Sequence, residues 1–376
     1  MAKSGISSLS GWQADRMAAP TGVLWERDPH TEAKHTLLRR YLSAWFPIMA
    51  RKFRSEGITF LDGFAGPGEY TNSAESSPTI ALRQALRDDV VQCGSDTRLV
   101  FIEEQKGRAE HLRALLDARF PQAQRPRRCT TEVVHGKCGN HYSSSIDKLG
   151  GWRGPIFANL DGWGADTDYE IVERIAKQQS SEVLVTFQDQ FFIRFAAGEQ
   201  ESGERVFGHS RWRQVDQLPT NEKQPFLLAL YRQGLHDAGF THVLTFEMVD
   251  ERGHSLHLFF GTTSVVAVEK FKEGLWEVDG FAGQRFRDPR DPNQLTFDIL
   301  EPDFTPLANI VMDLLQERER TMEELCQYAL LETIYKPTHV KPVVDRLRDQ
   351  RRVEIPITGR SFADKVVCLA PDTLFG

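Results

Sequence analysis

The chain has 376 residues, 40% of them hydrophobic and 26% charged, with a net charge of −7. That length is enough for two domains with a sizeable core, and the acidic balance excludes a wholly basic nucleic-acid binder while leaving room for local basic patches. No apolar run approaches the roughly 18 residues of a membrane span. The five cysteines, Cys93, Cys129, Cys138, Cys326 and Cys368, form no C-x-x-C pair, so neither a zinc site nor a disulfide framework is indicated and a reducing cytoplasm is the expected setting.

Residues 1–24 are rich in Ser, Gly and Ala, lack the apolar segment of a signal peptide, and read as a flexible arm. From His30 to Phe53, Ala33, Leu37, Leu38, Tyr41, Leu42, Trp45, Ile48, Met49 and Phe53 recur at helical spacing, and Pro47 is expected to kink or split that helix. Lys34 and His35 lie near its start. The stretch Ile58 to Gly68 then organises the chain. An apolar β-rich run stops at Asp62, and Gly63, Gly66 and Gly68 follow around Phe64 and Ala65. Glycine permits positive φ and close approach of a ligand to the backbone. At the carboxyl end of a first parallel strand, that is where open α/β sheets bind nucleotide-like ligands. The spacing differs from the dinucleotide G-x-G-x-x-G.

Further strands are expected at Arg98–Glu103, Glu132–Gly136, Pro155–Leu160 and Val183–Phe187, with helices at Lys106–Phe120 and Asp168–Gln178 between them. Residues 189–220 read as a long inserted loop in which Phe191, Phe192, Phe195, Phe207 and Trp212 alternate with Arg194, Arg205, Arg211 and Arg213. After a helix at Glu222–Ala238, strands at Thr241–Val249 and Ser255–Thr262 form an antiparallel hairpin, and a helix at Val265–Trp276 closes a domain spanning 25–278. Residues 279–303, with three acid–proline pairs, read as a linker. Residues 304–376 carry helices at Leu307–Gln316, after Thr321-Met322-Glu323-Glu324 (a capping box), and after Pro337, followed by strands at Arg352–Ile357 and Lys365–Leu369. This is the pattern of a winged helix-turn-helix. Its third helix holds Lys336, Lys341, Arg346, Arg348, Arg351 and Arg352 against Asp345 and Asp349, the charge needed for groove or phosphate contact, although winged helices also dock on proteins.

Five alternating strands and a terminal antiparallel hairpin are the layout of the doubly wound, seven-stranded S-adenosylmethionine-dependent methyltransferase sheet, with expected order 3-2-1-4-5-7-6. In that fold the glycine loop wraps the methionine end of the cofactor. Glu103 would accept from the ribose hydroxyls, and Gly136, Lys137, Cys138 and Asn140 would flank the adenine. Asp161-Gly162-Trp163-Gly164, after the fourth strand, would lie beside the departing methyl, with Asp161 as acceptor and Trp163 as a stacking face or a packed ring.

His30-Thr31-Glu32-Ala33-Lys34-His35 with Tyr41 and Trp45, then D-G-F-A-G-P-G-E-Y, F-I-E-E, Asp161, and Phe207-Gly208 with Trp212, resemble the three-Cys-motif partner family of bacteria and phages. The resemblance runs from about Trp25 to the end and implies a methyltransferase-like protein with a companion bearing three cysteines of the radical-enzyme type. The Lys34-His35 helix is also similar to that of ribosomal-RNA adenine-N6 methyltransferases, which implies a place over the cofactor for both residues. The family's Asp-Pro-aromatic-Gly is Asp-Gly-Trp-Gly here, a looser turn, and Lys137-Cys138 stand where an acid is common. The expected activity is methyl transfer to RNA or DNA, adenine N6 among the targets. The alternatives are a non-catalytic scaffold docking DNA or the three-cysteine protein, and a methyltransferase acting on protein or small molecules.

Overall fold

The computed structural model describes residues 22–72, 74–162, 166–195, 200–249, 255–283, 285–287, 302–356 and 361–371. The strands of the main sheet are β1 (Ile58–Asp62), β2 (Thr97–Glu103), β3 (Cys129–His135), β4 (Ile156–Leu160), β5 (Glu182–Phe187), β6 (His242–Val249), β7 (Ser255–Thr262) and β8 (Arg285–Arg287). The helices around them are α1 (Pro29–Lys52), α2 (Ser77–Ala85), α3 (Asp88–Val91), α4 (Lys106–Arg119), α5 (Cys138–Lys148), α6 (Tyr169–Ala176), α7 (Asp189–Phe195), α8 (Gln200–Phe207), α9 (Thr220–Ala238) and α10 (Val265–Val278).

β1, β2, β4 and β5 are buried along their whole length, as continuous apolar runs require when helices cover both faces. They pair in parallel with one another and with β3, while β7 runs antiparallel between β5 and β6. The order β3-β2-β1-β4-β5-β7-β6-β8 contains the expected 3-2-1-4-5-7-6, and the sheet has eight strands, not seven. The eighth, parallel to β6, lies in the stretch read as a linker. Arg285-Phe286-Arg287 is too short to show a period in the sequence, and Phe286 packs onto the core beside it.

One face of the sheet is covered by α1, α2, α4 and α10, with Phe60 and Phe157 stacked 5.8 Å apart and Phe260 and Phe271 4.1 Å apart. The other is covered by α5, α6, α8 and α9. Helix α1 is capped by Asp28, which accepts from the Thr31 amide at 2.8 Å, and runs unbroken through Pro47. Proline at 47 leaves the Ser43 carbonyl without its helical donor. The Arg87 Nη1 supplies one from outside at 2.9 Å, so the expected kink is replaced by an external hydrogen bond.

The inserted stretch is likewise not an open loop. It folds as α7, α8 and a 3-10 helix (Ser210–Gln217), and Phe192, Phe207 and Trp212 are buried in the second face's core. Asp189, wholly buried at the start of α7, accepts from His257 Nδ1 at 3.1 Å and from Gln190 and Gln224 Nε2 at 2.9 Å each, tying α7 and α9 to β7.

Beyond residue 303, α11 (Thr305–Glu317), α12 (Met322–Glu332) and α13 (Pro337–Asp349) pack around their own core with a small sheet of β9 (Arg320–Thr321), β10 (Val353–Glu354) and β11 (Val366–Leu369), ordered β10-β11-β9. The Thr321–Glu324 capping box is formed. This module is fastened to α10. The buried Lys272 Nζ donates to the carbonyls of Ala329, Leu330, Thr333 and Tyr335 at the end of α12, and Trp276 Nε1 donates to Ile334 O at 3.0 Å. Among the described residues no helix is long and apolar enough to cross a membrane.

Candidate active site

The carboxyl ends of β1, β2, β4 and β5 bring the sequence's candidates to one edge. Past Asp62 the chain crosses between neighbouring strands: the Gly63 amide donates to Asn159 O of β4 at 3.0 Å and the Ala65 amide to Ile102 O of β2 at 2.9 Å. Gly66 then adopts φ +64, a left-handed conformation that favours glycine. Among the described residues a Cβ begun at Gly66 would meet the Trp25 ring, 3.8 Å away in ordinary contact, and no other group, so the loop's outer side is a cradle with Trp25 at its edge. Gly63 faces inward, where a Cβ would stand 2.7 Å from Cys138 Sγ.

Glu103, nearly buried at the end of β2, grips this loop. Its Oε2 accepts from the Gly66 amide at 3.0 Å and its Oε1 from the Gln105 amide at 2.7 Å. A carboxylate offers about four lone-pair sites, so acceptor capacity remains. Asp62 is fully buried and holds the Phe64 amide and Asn159 Nδ2 on Oδ1 at 3.4 and 3.3 Å, while its Oδ2 has no hydrogen-bond partner among the described residues. Burial pushes its pKa up to about 7, partly offset by the donors around it. Gly136 donates its amide to Glu103 O at 3.0 Å, and Lys137 and Asn140 stand exposed at the entry to α5, Lys137 paired with Glu104 at 3.5 Å. Cys138 is turned inward under Gly63, and burial raises its thiol to about 12, which keeps it protonated.

Asp161, one residue past β4, is held from two sides. Lys34 Nζ of α1 lies 2.8 and 2.6 Å from Oδ1 and Oδ2, and Thr186 Oγ1 of β5 donates to Oδ1 at 2.5 Å. Burial disfavours the charge, but the Lys34 ammonium and the Thr186 hydroxyl outweigh it and hold the carboxyl below its ordinary range. Neighbouring His35 is buried, its Nδ1 unpartnered, and burial, seconded by Lys34, lowers its pKa to about 3, so the ring is neutral. It packs against Tyr70 with ring centroids 5.8 Å apart.

Glycine at 162 has a reason visible in the packing. A Cβ there would lie 2.8 Å from the Phe64 ring, so glycine at 162 admits the phenyl ring of the glycine loop. Trp163 lies outside the described residues. Thr186, Tyr70 and Trp25 also border the site and were not singled out from the sequence. Thr186 carries the one weak signal, a hydroxyl near the end of the apolar run V-L-V-T-F.

Most of the basic candidates are engaged in local contacts. Arg213 pairs with Glu204 at 2.7 Å, and exposed Arg211 contacts His209. In the small module Lys341 and Arg348 both pair with Asp345, at 2.5 and 3.3 Å. Lys336 is half-buried near Glu273 and Arg40 at the junction with α10, and burial lowers its pKa. His339, one turn into α13, packs on the Trp276 ring at 4.5 Å. Arg346 and Arg351 are exposed and have no ion pair among the described residues. Among those residues no group of His, Cys, Asp or Glu is placed to hold a metal ion.

No family model matches the chain, and no curated protein matches it. Solved structures similar to it include Trm1 from Pyrococcus horikoshii in complex with S-adenosyl-L-methionine, at 11% identity over 96% of this chain and 95% of that one, with a TM-score of 0.37. Others are precorrin-6y C5,15-methyltransferase from Geobacter metallireducens (10% identity, 67% and 96%, TM-score 0.31) and magnesium protoporphyrin IX methyltransferase from Synechocystis with bound SAH (11%, 62% and 85%, 0.32). With TM-scores this low, the fold is established by the strand order and register given above.

Proposed function

We propose that the chain binds S-adenosylmethionine along the glycine loop and transfers its methyl group to an amino group. The observation that carries the proposal is the cradle at Gly66, bounded by Glu103 on one side and by the Lys34–Asp161–Thr186 cluster on the other. The residues fit the cofactor's chemistry. Glu103 keeps lone pairs for vicinal hydroxyls, and Asp62, buried beneath the loop, fixes the loop's course through the Phe64 amide and Asn159. The bound cofactor would supply an electrophilic methyl on a sulfonium.

The work of this chain's residues follows from their protonation. Asp161 is a firmly ionised carboxylate, so it is a poor proton acceptor and a strong hydrogen-bond acceptor. An attacking amine becomes positive as its new bond forms. A fixed carboxylate beside it favours that charge, in the way preorganised groups stabilise a transition state. Lys34 and Thr186 aim the carboxylate, and Lys34 already marks the position of a cationic nitrogen against it.

Nucleic acid is the acceptor class we favour, contacted through exposed Arg346 and Arg351 at the far end of α13 and Arg211 on the insertion. The beginning of α13, which a helix-turn-helix usually sends into a groove, is packed on α10. We therefore read residues 304–376 as a winged helix fixed to the methyltransferase-like domain that touches phosphates with its trailing end. The pairing of Lys341 and Arg348 with Asp345 favours a second reading, in which the module docks a protein, as membership of the three-Cys-motif partner family would imply. Mass spectrometry of the purified protein for co-purified cofactor, then methyl transfer to pooled RNA, pooled DNA and protein, tests both. Transfer to nucleic acid supports the first. Cofactor binding without transfer to any pool supports the second.

A further inference from the structure

The segment before α1 crosses the glycine loop and is clipped at three points. Arg108 of α4 donates through Nε and Nη2 to Gly22 O at 3.2 and 3.0 Å. The Thr71 amide, beyond the loop, donates to Trp25 O at 3.0 Å. Asp28 caps α1, the helix that carries Lys34 to Asp161. The strap thus spans from the Glu103 side of the loop to the Asp161 side.

Trp25 is the side chain this strap presents to the loop. It is only half-buried, edge-on to Tyr70 at 5.7 Å and 88°, with the Arg108 guanidinium 4.7 Å from its ring centre. Tyr70 in turn leans on His35. Apart from Gly66's own chain neighbours, Trp25 is also the only group among the described residues within 4 Å of the position a Gly66 Cβ would take. Glu103 holds the Gly66 amide from the sheet side. A ligand laid along the loop therefore meets a carboxylate on one side and an indole on the other.

We infer that Trp25, braced by Arg108 and Tyr70, is a wall of the cofactor site and contacts the bound adenosyl ligand over Gly66. The inference rests on the reading of the loop as a cofactor site. It extends the site to a segment outside the sheet. An aromatic wall contributes contact area and, toward a cationic ligand, attraction by the ring face.

The test uses the full chain with S-adenosylmethionine and S-adenosylhomocysteine as probes, by calorimetry and by intrinsic fluorescence. Titration with either ligand is expected to change the fluorescence of a Trp163→Phe background, which removes the indole that follows Asp161 in the sequence, and of that background carrying Trp152→Phe, whose indole lies by β4's far end. The change is expected to be lost when Trp25→Phe is added to the same background, which still binds. Trp25→Ala is expected to weaken binding about 10-fold, the scale of one stacked aromatic contact. Wild-type affinity in a Trp25→Ala protein with an unaltered melting curve overturns the inference alone. If the alanine variant melts early, Trp25→Phe decides, and a fluorescence change that persists there overturns it. Failure of the wild type to bind either ligand removes the cofactor site, and this wall with it.

Discussion

Asp161 shows how a single residue's neighbours decide its chemistry. Buried alone, it would be a protonated acid. The Lys34 ammonium and Thr186 hydroxyl make it an anion that orients and stabilises instead of taking a proton. Asp161→Asn is expected to lower turnover by roughly 10²–10³-fold, the scale of losing one preorganised charge-stabilising group, while leaving calorimetric cofactor affinity within a few-fold. Lys34→Met leaves only the Thr186 hydroxyl to oppose burial, so the Asp161 carboxyl should titrate upward, which carboxyl NMR would register. The buried acids Asp62 and Glu182 have pKa values raised to about 7 by burial. The stability they contribute is complete below their unfolded pKa values near 4 and is lost as pH rises to about 7. His35, lowered to about 3 by burial, acts oppositely: its contribution is present above about 6.5 and lost as pH falls toward 3. Glu182→Gln should therefore flatten the decline in denaturant midpoint between pH 4.5 and 7, with Tyr41 and Thr262 still bonded to the amide. Asp161 was legible in the sequence because an acid directly follows an apolar run. Its partners were not, because Lys34 is 127 residues away and nothing local to either residue encodes the pairing.

At the level of elements, hydrophobic runs identified the sheet because fully buried strands leave an unbroken apolar signature. The insertion was misread because its aromatics alternate with arginines, and that mixture resembles a binding loop as much as three short amphipathic helices. Burial separates the two. Trp212 is wholly inaccessible and stacks on Phe207 at 6.1 Å. A Cβ on Gly203 of α8 would stand 2.1 Å from its ring. Trp212→Ala is expected to cost about 3–5 kcal/mol of unfolding free energy, as large buried aromatics do, measured by urea denaturation. A loss below about 1 kcal/mol would return the insertion to the status of a surface loop. Pro47 teaches the complementary lesson. Its effect on α1 depends on whether something answers the Ser43 carbonyl, and Arg87 does so from another helix. Arg87→Ala should destabilise by about 1 kcal/mol, the net worth of one such hydrogen bond.

Across the whole molecule, the sheet, the site and the small module are one connected arrangement. Lys272 of α10, buried and lowered by burial to about 8, remains mostly an ammonium at pH 7 and closes the carbonyl end of α12. Lys272→Met should leave those carbonyls unanswered and loosen the module, seen as faster amide exchange in α12 and α13 ahead of the main sheet. The charge of the third helix and the i,i+3 and i,i+4 spacing that pairs it with Asp345 are legible in the sequence, but its docked beginning depends on tertiary packing. Arg346→Ala with Arg351→Ala should weaken binding to nucleic acid and reduce the slope of log affinity against log salt by about 1–2, and an unchanged slope would favour the protein-docking reading. The measurement that bears most directly on the account is calorimetric titration of S-adenosylmethionine into the wild type and Gly66→Ala. At φ +64 the added methyl costs the fold only about 1–2 kcal/mol. It projects, however, into the space where the ligand must approach the backbone. The account predicts one site per chain in the wild type and loss of binding in a folded Gly66→Ala. No binding by the wild type, or undiminished binding by the variant, would contradict it.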